Sequence, residues 1–230
     1  MTITLPTFHS CPKKLIARKE TIINVYRELF HNKIPNNRQY WTMCGLHANE
    51  DGTFAKGSEL GQILKEELIT ENQFFGIDIN PEVIELNKQS KPTVNWINND
   101  LLKEMKKAYF NNNFNPAIIN ADLIFLQKRG TRFASQILSF LQDTKINNLF
   151  IVCNIMLTNP RSEGWKLFSG FEFDTDTTIK EFEKSIAFQY VWNSGDWKLY
   201  PRVYDYNGTG KQSRTALRTL IFYKRGTKNV

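Results

Sequence analysis

Gln73 to Lys88, QFFGIDINPEVIELNK, is the stretch on which the fold turns. Phe74 to Asp78 is a short apolar run of strand type that stops on an acid. Pro81 follows where a first helical turn tolerates a residue without an N–H, and Val83, Ile84 and Leu86 then supply the apolar positions of a helix. Strand, acidic turn and helix in sixteen residues make one repeat of an open α/β sheet of the nucleotide-binding kind.

The alternation continues on both sides. Upstream, Gln39 to Cys44 (QYWTMC) reads as a short buried strand closed by Gly45, and Leu46 to Gly57 is a polar loop. Ser58 is placed to cap a helix over Glu59 to Ile69, with Leu60, Ile63, Leu64 and Leu68 on one face. Downstream, Thr93 to Ile97 is a third strand, Leu101 to Tyr109 a helix and Pro116 to Phe125 a fourth strand. A helix over Thr131 to Asp143 then leads to Asn148 to Met156, a fifth strand apolar throughout, as strands buried on both faces are. Beyond it the pattern changes. A helix is expected around Thr178 to Lys184 and strands at Ala187 to Trp192, Lys198 to Tyr206 and Ala216 to Lys224, with no helices between the strands. The turn signal Tyr206-Asn207-Gly208-Thr209-Gly210 implies that the chain finishes with an antiparallel hairpin on a mostly parallel, Rossmann-like sheet. In front stands an amphipathic helix over Lys13 to Phe30, so residues 1–36 are expected as a helical extension and 37–230 as the α/β domain.

Composition narrows the class. The chain has 230 residues, 41% hydrophobic, enough for one domain with a sizeable core. Its longest apolar runs fall far short of the roughly 20 residues needed to span a bilayer, and the N-terminus lacks the form of a secretory signal, so a cytoplasmic protein is expected. Cys11, Cys44 and Cys153 are odd in number and widely spaced, and His9, His31 and His47 are scattered; neither a disulfide framework nor a metal site is expected. The net charge of +7 is lodged at the C-terminus, where residues 198–230 hold eight basic residues and one acidic one. Lys198, Arg202, Lys211, Arg214, Arg218, Lys224, Arg225 and Lys228 alternate there with tyrosines and phenylalanines. Such a stretch suits contact with nucleic acid, and equally suits a solvated sheet edge with a basic tail.

In an open α/β sheet ligands bind beyond the carboxyl ends of the strands, which brings Gly45, Asp78, Asp100 and the run Asn120 to Asp122 into consideration together. A carboxylate at Asp78 can accept both hydroxyls of a ribose. Its separation of 21 residues from Gly57 fits the spacing of about 20 between a glycine turn and a ribose-binding acid. The same residue can instead cap the Pro81 helix.

On these residues GIDINPEVIELNK resembles the second-strand motif of the class I S-adenosylmethionine-dependent methyltransferases. The resemblance implies a seven-stranded sheet with helices on both faces and a terminal antiparallel hairpin, and S-adenosylmethionine as cofactor. It implies that Cys44 and Gly45 approach the methionine part, that Asp78 holds the ribose and that Ile79 packs on adenine. Asn99, Asp100 and Leu101 would face the adenine ring, and Asn120 would join the cofactor-binding set. The chain departs from the family at its first motif, where a compact acidic, glycine-rich turn is replaced by CGLHANEDGTFAKGSEL with its glycines far apart. GxGxxG and GxxxxGK[ST] are absent, which sets aside dinucleotide dehydrogenases and P-loop enzymes.

At the fourth strand Asn120-Ala121-Asp122-Leu123 stands where base-amine methylating members carry Asp/Asn-Pro-Pro-aromatic, so a ring nitrogen, a ribose or small-molecule hydroxyl, or a protein side chain is the more fitting acceptor. Asp122 is the candidate to orient or deprotonate the nucleophile. The rival expectation, drawn from the dispersed glycines and the C-terminal charge, is a non-catalytic nucleic-acid binder built on the same fold. Oligomeric state is not encoded in any pattern found here.

Overall fold

A computed structural model describes residues 12–156, 196–200, 204–207 and 216–226. The aromatic stretch Trp165 to Phe173, the expected helix at Thr178 to Lys184 and the expected strand at Ala187 to Trp192 lie outside the described residues, as do Lys211 and Arg214. The chain divides into two compact units whose boundary, Asn120/Ala121, falls inside one strand.

The first unit begins with helix α1 (Pro12–Arg18), a π-helical segment (Lys19–Asn24) and α2 (Val25–Leu29). The Thr21 hydroxyl donates to the Ala17 carbonyl at 2.7 Å, a side-chain bond that competes with the backbone ladder where the turns widen. Then follow β1 (Gln39–Met43), α3 (Glu59–Lys65), β2 (Phe74–Asp78), α4 (Pro81–Ser90), β3 (Asn95–Asn98), α5 (Leu101–Phe110) and the start of β4 (Pro116–Leu126). The strands lie in the order β3-β2-β1-β4 and every pairing is parallel. Helix α3 stops short of the expected Ile69 because Glu67 turns left-handed at φ 53°, and Leu68 N–H closes back on the Ile63 carbonyl in a helix-ending motif.

Strand alternation sorts the side chains onto two faces. Tyr40 stacks on Phe74 on one face, Trp41 on Phe75 on the other. Glu59 of α3 meets Tyr40, so α3 covers the first face; α4 joins it there through Asn87, which reaches the backbone just after β1. Helix α5 covers the second face, where Glu104 and Ala108 share a cleft of about 240 Å³ with Trp41, Phe75 and Ile97. The crossovers from β1 to β2 to β3 therefore run over one face, and the return from β3 to β4 runs over the other. This reversal places the topological switch point between β1 and β4, where Thr42 is paired with Asn120.

The second unit contains the rest of β4, α6 (Gln127–Gln142), β5 (Leu149–Met156), β6 (Trp197–Leu199), β7 (Tyr204–Asn207) and β8 (Ala216–Lys224). Residues Leu149 to Cys153 are fully buried, as their unbroken apolar run requires. β8 pairs antiparallel with β5 over eight positions, Leu149↔Lys224 to Met156↔Leu217. Along the other side of β8 lie β6, at Trp197↔Lys224 to Leu199↔Phe222, and β7, at Tyr204↔Thr219 to Asn207↔Ala216. The strand expected over Lys198 to Tyr206 is thus one edge in two pieces, and the sheet ends in the antiparallel hairpin that the Tyr206–Gly210 turn signal implied. The fold is α/β, mostly parallel and Rossmann-like, with an N-terminal helix in front.

Candidate functional site

Asp78 closes β2, half-buried, with its Oδ1 accepting the Asn80 N–H at 2.8 Å. Asn80 in turn caps α4 by accepting from Glu82 N–H, and Pro81 occupies the first helical position. The capping work falls mainly to Asn80, which leaves the Asp78 carboxylate with acceptor capacity beyond its local backbone donors. Burial pushes the Asp78 carboxyl above its ordinary value, opposed by the Asn80 and Ile79 N–H groups. Among the described residues no basic side chain pairs with it. Ile79, directly after it, is 75% exposed, an apolar surface beside a carboxylate that has only backbone N–H partners among the described residues.

The end of β3 is tied to the same point. The Asp78 carbonyl accepts from Asn99 N–H at 3.1 Å and from the Asn98 side-chain amide at 3.0 Å. Asn99 spends its own side chain locally, accepting from Asp100 N–H and donating to Glu104 at 2.6 Å. Asp100 caps α5 by accepting from Lys103 N–H at 3.0 Å, and Leu101 is in the core. Asp78, Ile79, Asn99 and Asp100 are therefore brought to one rim, with Asn99 and Asp100 engaged in shaping the start of α5.

At the end of β1, Cys44 N–H continues the ladder to the Ile77 carbonyl at 2.9 Å, and Gly45 is exposed. Burial raises the Cys44 thiol well above its usual value, with further upward pressure from the Asp78 and Glu59 charges, so it stays a neutral thiol. The loop beyond is not a glycine cradle. Ala48 and Phe54 form a β-bridge, Asn49 N–H donates to the Thr53 carbonyl at 2.8 Å, and Gly52 at φ 79° serves the tight turn between them. Asn87 of α4 clamps this hairpin: it accepts His47 N–H at 2.6 Å and donates to the Gly45 carbonyl at 3.0 Å. The His47 ring lies against Phe74 and Trp96 and pairs with the Ser58 hydroxyl at 2.9 Å. Trp96 can lie there because Gly76 has no side chain; a Cβ would meet the indole at 2.5 Å.

Asn120 is buried on β4 with its side-chain amide donating to Glu59 Oε1 at 3.0 Å; the Tyr40 hydroxyl donates to the same oxygen at 2.7 Å. Asp122, half-buried, lies two residues farther along β4, in the second unit. Lys128 to Arg132 belong to the first turns of α6 rather than to a loop, and of the basic C-terminal residues Arg202, Lys211, Arg214 and Lys228 lie outside the described residues. Among the described residues no group of three or more metal-ligating side chains converges, and no helix is long and apolar enough to cross a membrane.

Glu59, Tyr40, His47, Asn87 and Arg18 organise this region and were not foreseen as site residues. Asn87 had a readable signal, since it lies three and four residues from Ile84 and Val83 on the apolar face of its helix. Glu59 had none, because an acid in a first helical turn is ordinary.

No protein-family model and no curated protein matches the sequence. Among solved structures the chain is similar to N-methyltransferase NodS from Bradyrhizobium japonicum, at 9% identity and a TM-score of 0.48 over 94% of this chain and 99% of that one. It is similar also to a TehB-like SAM-dependent methyltransferase from Corynebacterium glutamicum, at 13% identity and 0.44 over 92% and 93%. A third is precorrin-6y C5,15-methyltransferase from Geobacter metallireducens, at 11% identity and 0.44 over 94% and 93%. These are weak overlaps; the strand order and the residues at the strand ends carry the functional reading.

Proposed function

We propose that this chain is an S-adenosylmethionine-dependent methyltransferase acting on an acceptor other than an exocyclic base amine. The observation that carries the reading is the Asp78 carboxylate, which no basic side chain among the described residues neutralises, beside exposed Ile79 at the carboxyl ends of a β3-β2-β1-β4 parallel array. A carboxylate kept partly dry and without a cation is suited to accept from the two neighbouring hydroxyls of a ribose, and its charge disfavours a 2′-phosphate. Ile79 offers the adenine ring an apolar surface. Asp100 and Asn99 stand at the rim on the β3 side, and Gly45, exposed after β1, permits close approach of a ligand chain.

When bound, S-adenosylmethionine supplies the methyl group from its sulfonium, so the protein's part is chiefly to hold and align. Alignment of well-oriented reactants can contribute up to about 7–11 kcal/mol. Asp122 is assigned to orienting the acceptor or taking its proton, a role that typically adds about 10²–10⁴-fold.

Calorimetry with S-adenosylhomocysteine tests the reading. Wild type is expected to bind, and Asp78→Ala to bind roughly 10–100-fold more weakly, the worth of hydrogen bonds to a charged group. Absence of binding to wild type, or binding that Asp78→Ala leaves unchanged, removes the main support.

A further inference from the structure

A second polar cluster sits at the switch point, on the face covered by α3, and the family resemblance does not account for it. Glu59 is 4% exposed and Asn120 2% exposed. Arg18, the last residue of α1, reaches in from the N-terminal helix with its side chain 11% exposed. Its Nε stands 3.9 Å from Glu59 Oε2, too far for a hydrogen bond. Glu59 Oε1 already accepts from Tyr40 and Asn120, whereas Asn120 Oδ1 and Arg18 Nη1 are buried with no hydrogen-bond partner among the described residues. Orphaned buried polar atoms are uncommon in folded proteins and need a reason. Here an unused cationic donor and an unused neutral acceptor flank a carboxylate whose second oxygen makes no hydrogen bond.

That arrangement complements the zwitterionic head of an α-amino acid. The guanidinium Nη1 suits the carboxylate, and Glu59 Oε2 with Asn120 Oδ1 suits the adjacent ammonium. The protein charges in the cluster cancel, which favours a zwitterion over a phosphate, because a phosphate would face Glu59. The place agrees: Thr42↔Asn120 is the last β1–β4 pair, one residue short of the end of β1. We infer that Arg18, Glu59 and Asn120 form the subsite for an amino-acid head group, replacing the function that the first-strand loop cannot serve while it is closed into the Ala48–Phe54 hairpin. This rests on the methyl-donor reading, in which the head group is the methionine end of the cofactor.

The test compares S-adenosylhomocysteine with 5′-methylthioadenosine, which keeps the nucleoside and thioether and lacks the amino-acid head. Wild type should prefer S-adenosylhomocysteine by roughly 10–100-fold, the expected worth of charge-assisted contacts. Arg18→Met should lose most of that preference without changing the affinity for 5′-methylthioadenosine, and Arg18→Lys should fall between. The unliganded Arg18→Met protein should melt below wild type, because buried Glu59 is left without its counter-charge, whereas Arg18→Lys, which keeps that charge, should melt close to wild type. Equal affinity of wild type for both probes, or a preference that survives Arg18→Met, overturns this subsite and leaves the nucleoside site standing. Failure of both probes to bind wild type overturns the methyl-donor reading and the subsite with it.

Discussion

Replacing Asn87 by alanine isolates the clamp that holds the first-strand loop. The wild-type side chain is fully buried and makes two backbone bonds, from His47 N–H at 2.6 Å and to the Gly45 carbonyl at 3.0 Å. The two losses are unequal. Gly45 is exposed, so water replaces the amide at its carbonyl and the loss is that of an ordinary hydrogen bond, about 0.5–1.5 kcal/mol. His47 is 1% exposed, so its N–H is left without a partner, at about 1–3 kcal/mol. Together they predict destabilisation by about 2–4 kcal/mol, a large part of the 5–15 kcal/mol typical of a folded domain. For a chain of this size that corresponds to a fall in melting temperature of roughly 4–16 °C. Urea unfolding of Asn87→Ala measures the change, with Gln89→Ala on the exposed side of the same helix as control, expected within about 0.5 kcal/mol of wild type. Amide hydrogen exchange adds a local readout, because His47 N–H should exchange much faster in the variant. If Asn87→Ala were as stable as Gln89→Ala, with His47 still protected, the clamp would not exist as described.

Further outcomes follow from the same geometry. Because burial raises the folded pKa of Asp78, its ionised form opposes folding; that stability is present at low pH and is lost as pH rises through the folded value. Asp78→Asn should therefore melt at or above wild type at neutral pH while binding S-adenosylhomocysteine more weakly, and wild-type affinity should fall as pH drops through the raised carboxyl value; a variant both unstable and fully binding would contradict this. Gly61→Ala places a Cβ 2.2 Å from the Lys56 carbonyl oxygen, a backbone contact that cannot step aside, so destabilisation of more than about 2 kcal/mol is expected by thermal melting. Gly76→Ala meets the Trp96 ring instead, and since a side chain can shift the loss should be smaller, about 1–3 kcal/mol, with changed Trp fluorescence as Trp96 moves off His47. Cys44 and Cys153 are buried, the latter with its thiol pushed up to about 12, so alkylation followed by peptide mass spectrometry should leave both unmodified until the protein is unfolded.

The elements were legible because each is written in local pattern. Phe74 to Asp78 and Asn148 to Met156 read as strands from their apolar runs, and Pro81 marked the first turn of α4. Errors gathered at element ends. The early stop of α3 depends on a left-handed Glu67, which no helix-breaking residue announces, and the break between β6 and β7 depends on how an edge follows β8.

Sequence alone determined the order of strands and helices and put Asp78 at a strand end, since periodicity and turn residues act over a few positions. Tertiary structure decided what the buried polar side chains do. Glu59 meets Asn120 across 61 residues and Tyr40 across 19, and Asn87 reaches His47 across 40. The sequence pattern specifies that such residues are polar but not which partner will satisfy them, because that choice is fixed only when strand register and crossover side bring distant segments together. The spread of glycines over Gly45 to Gly57, read from sequence as a departed motif, is in the structure a hairpin clamped by Asn87. The physical reason lies outside the loop itself, in a helix amide some forty residues away that satisfies its backbone.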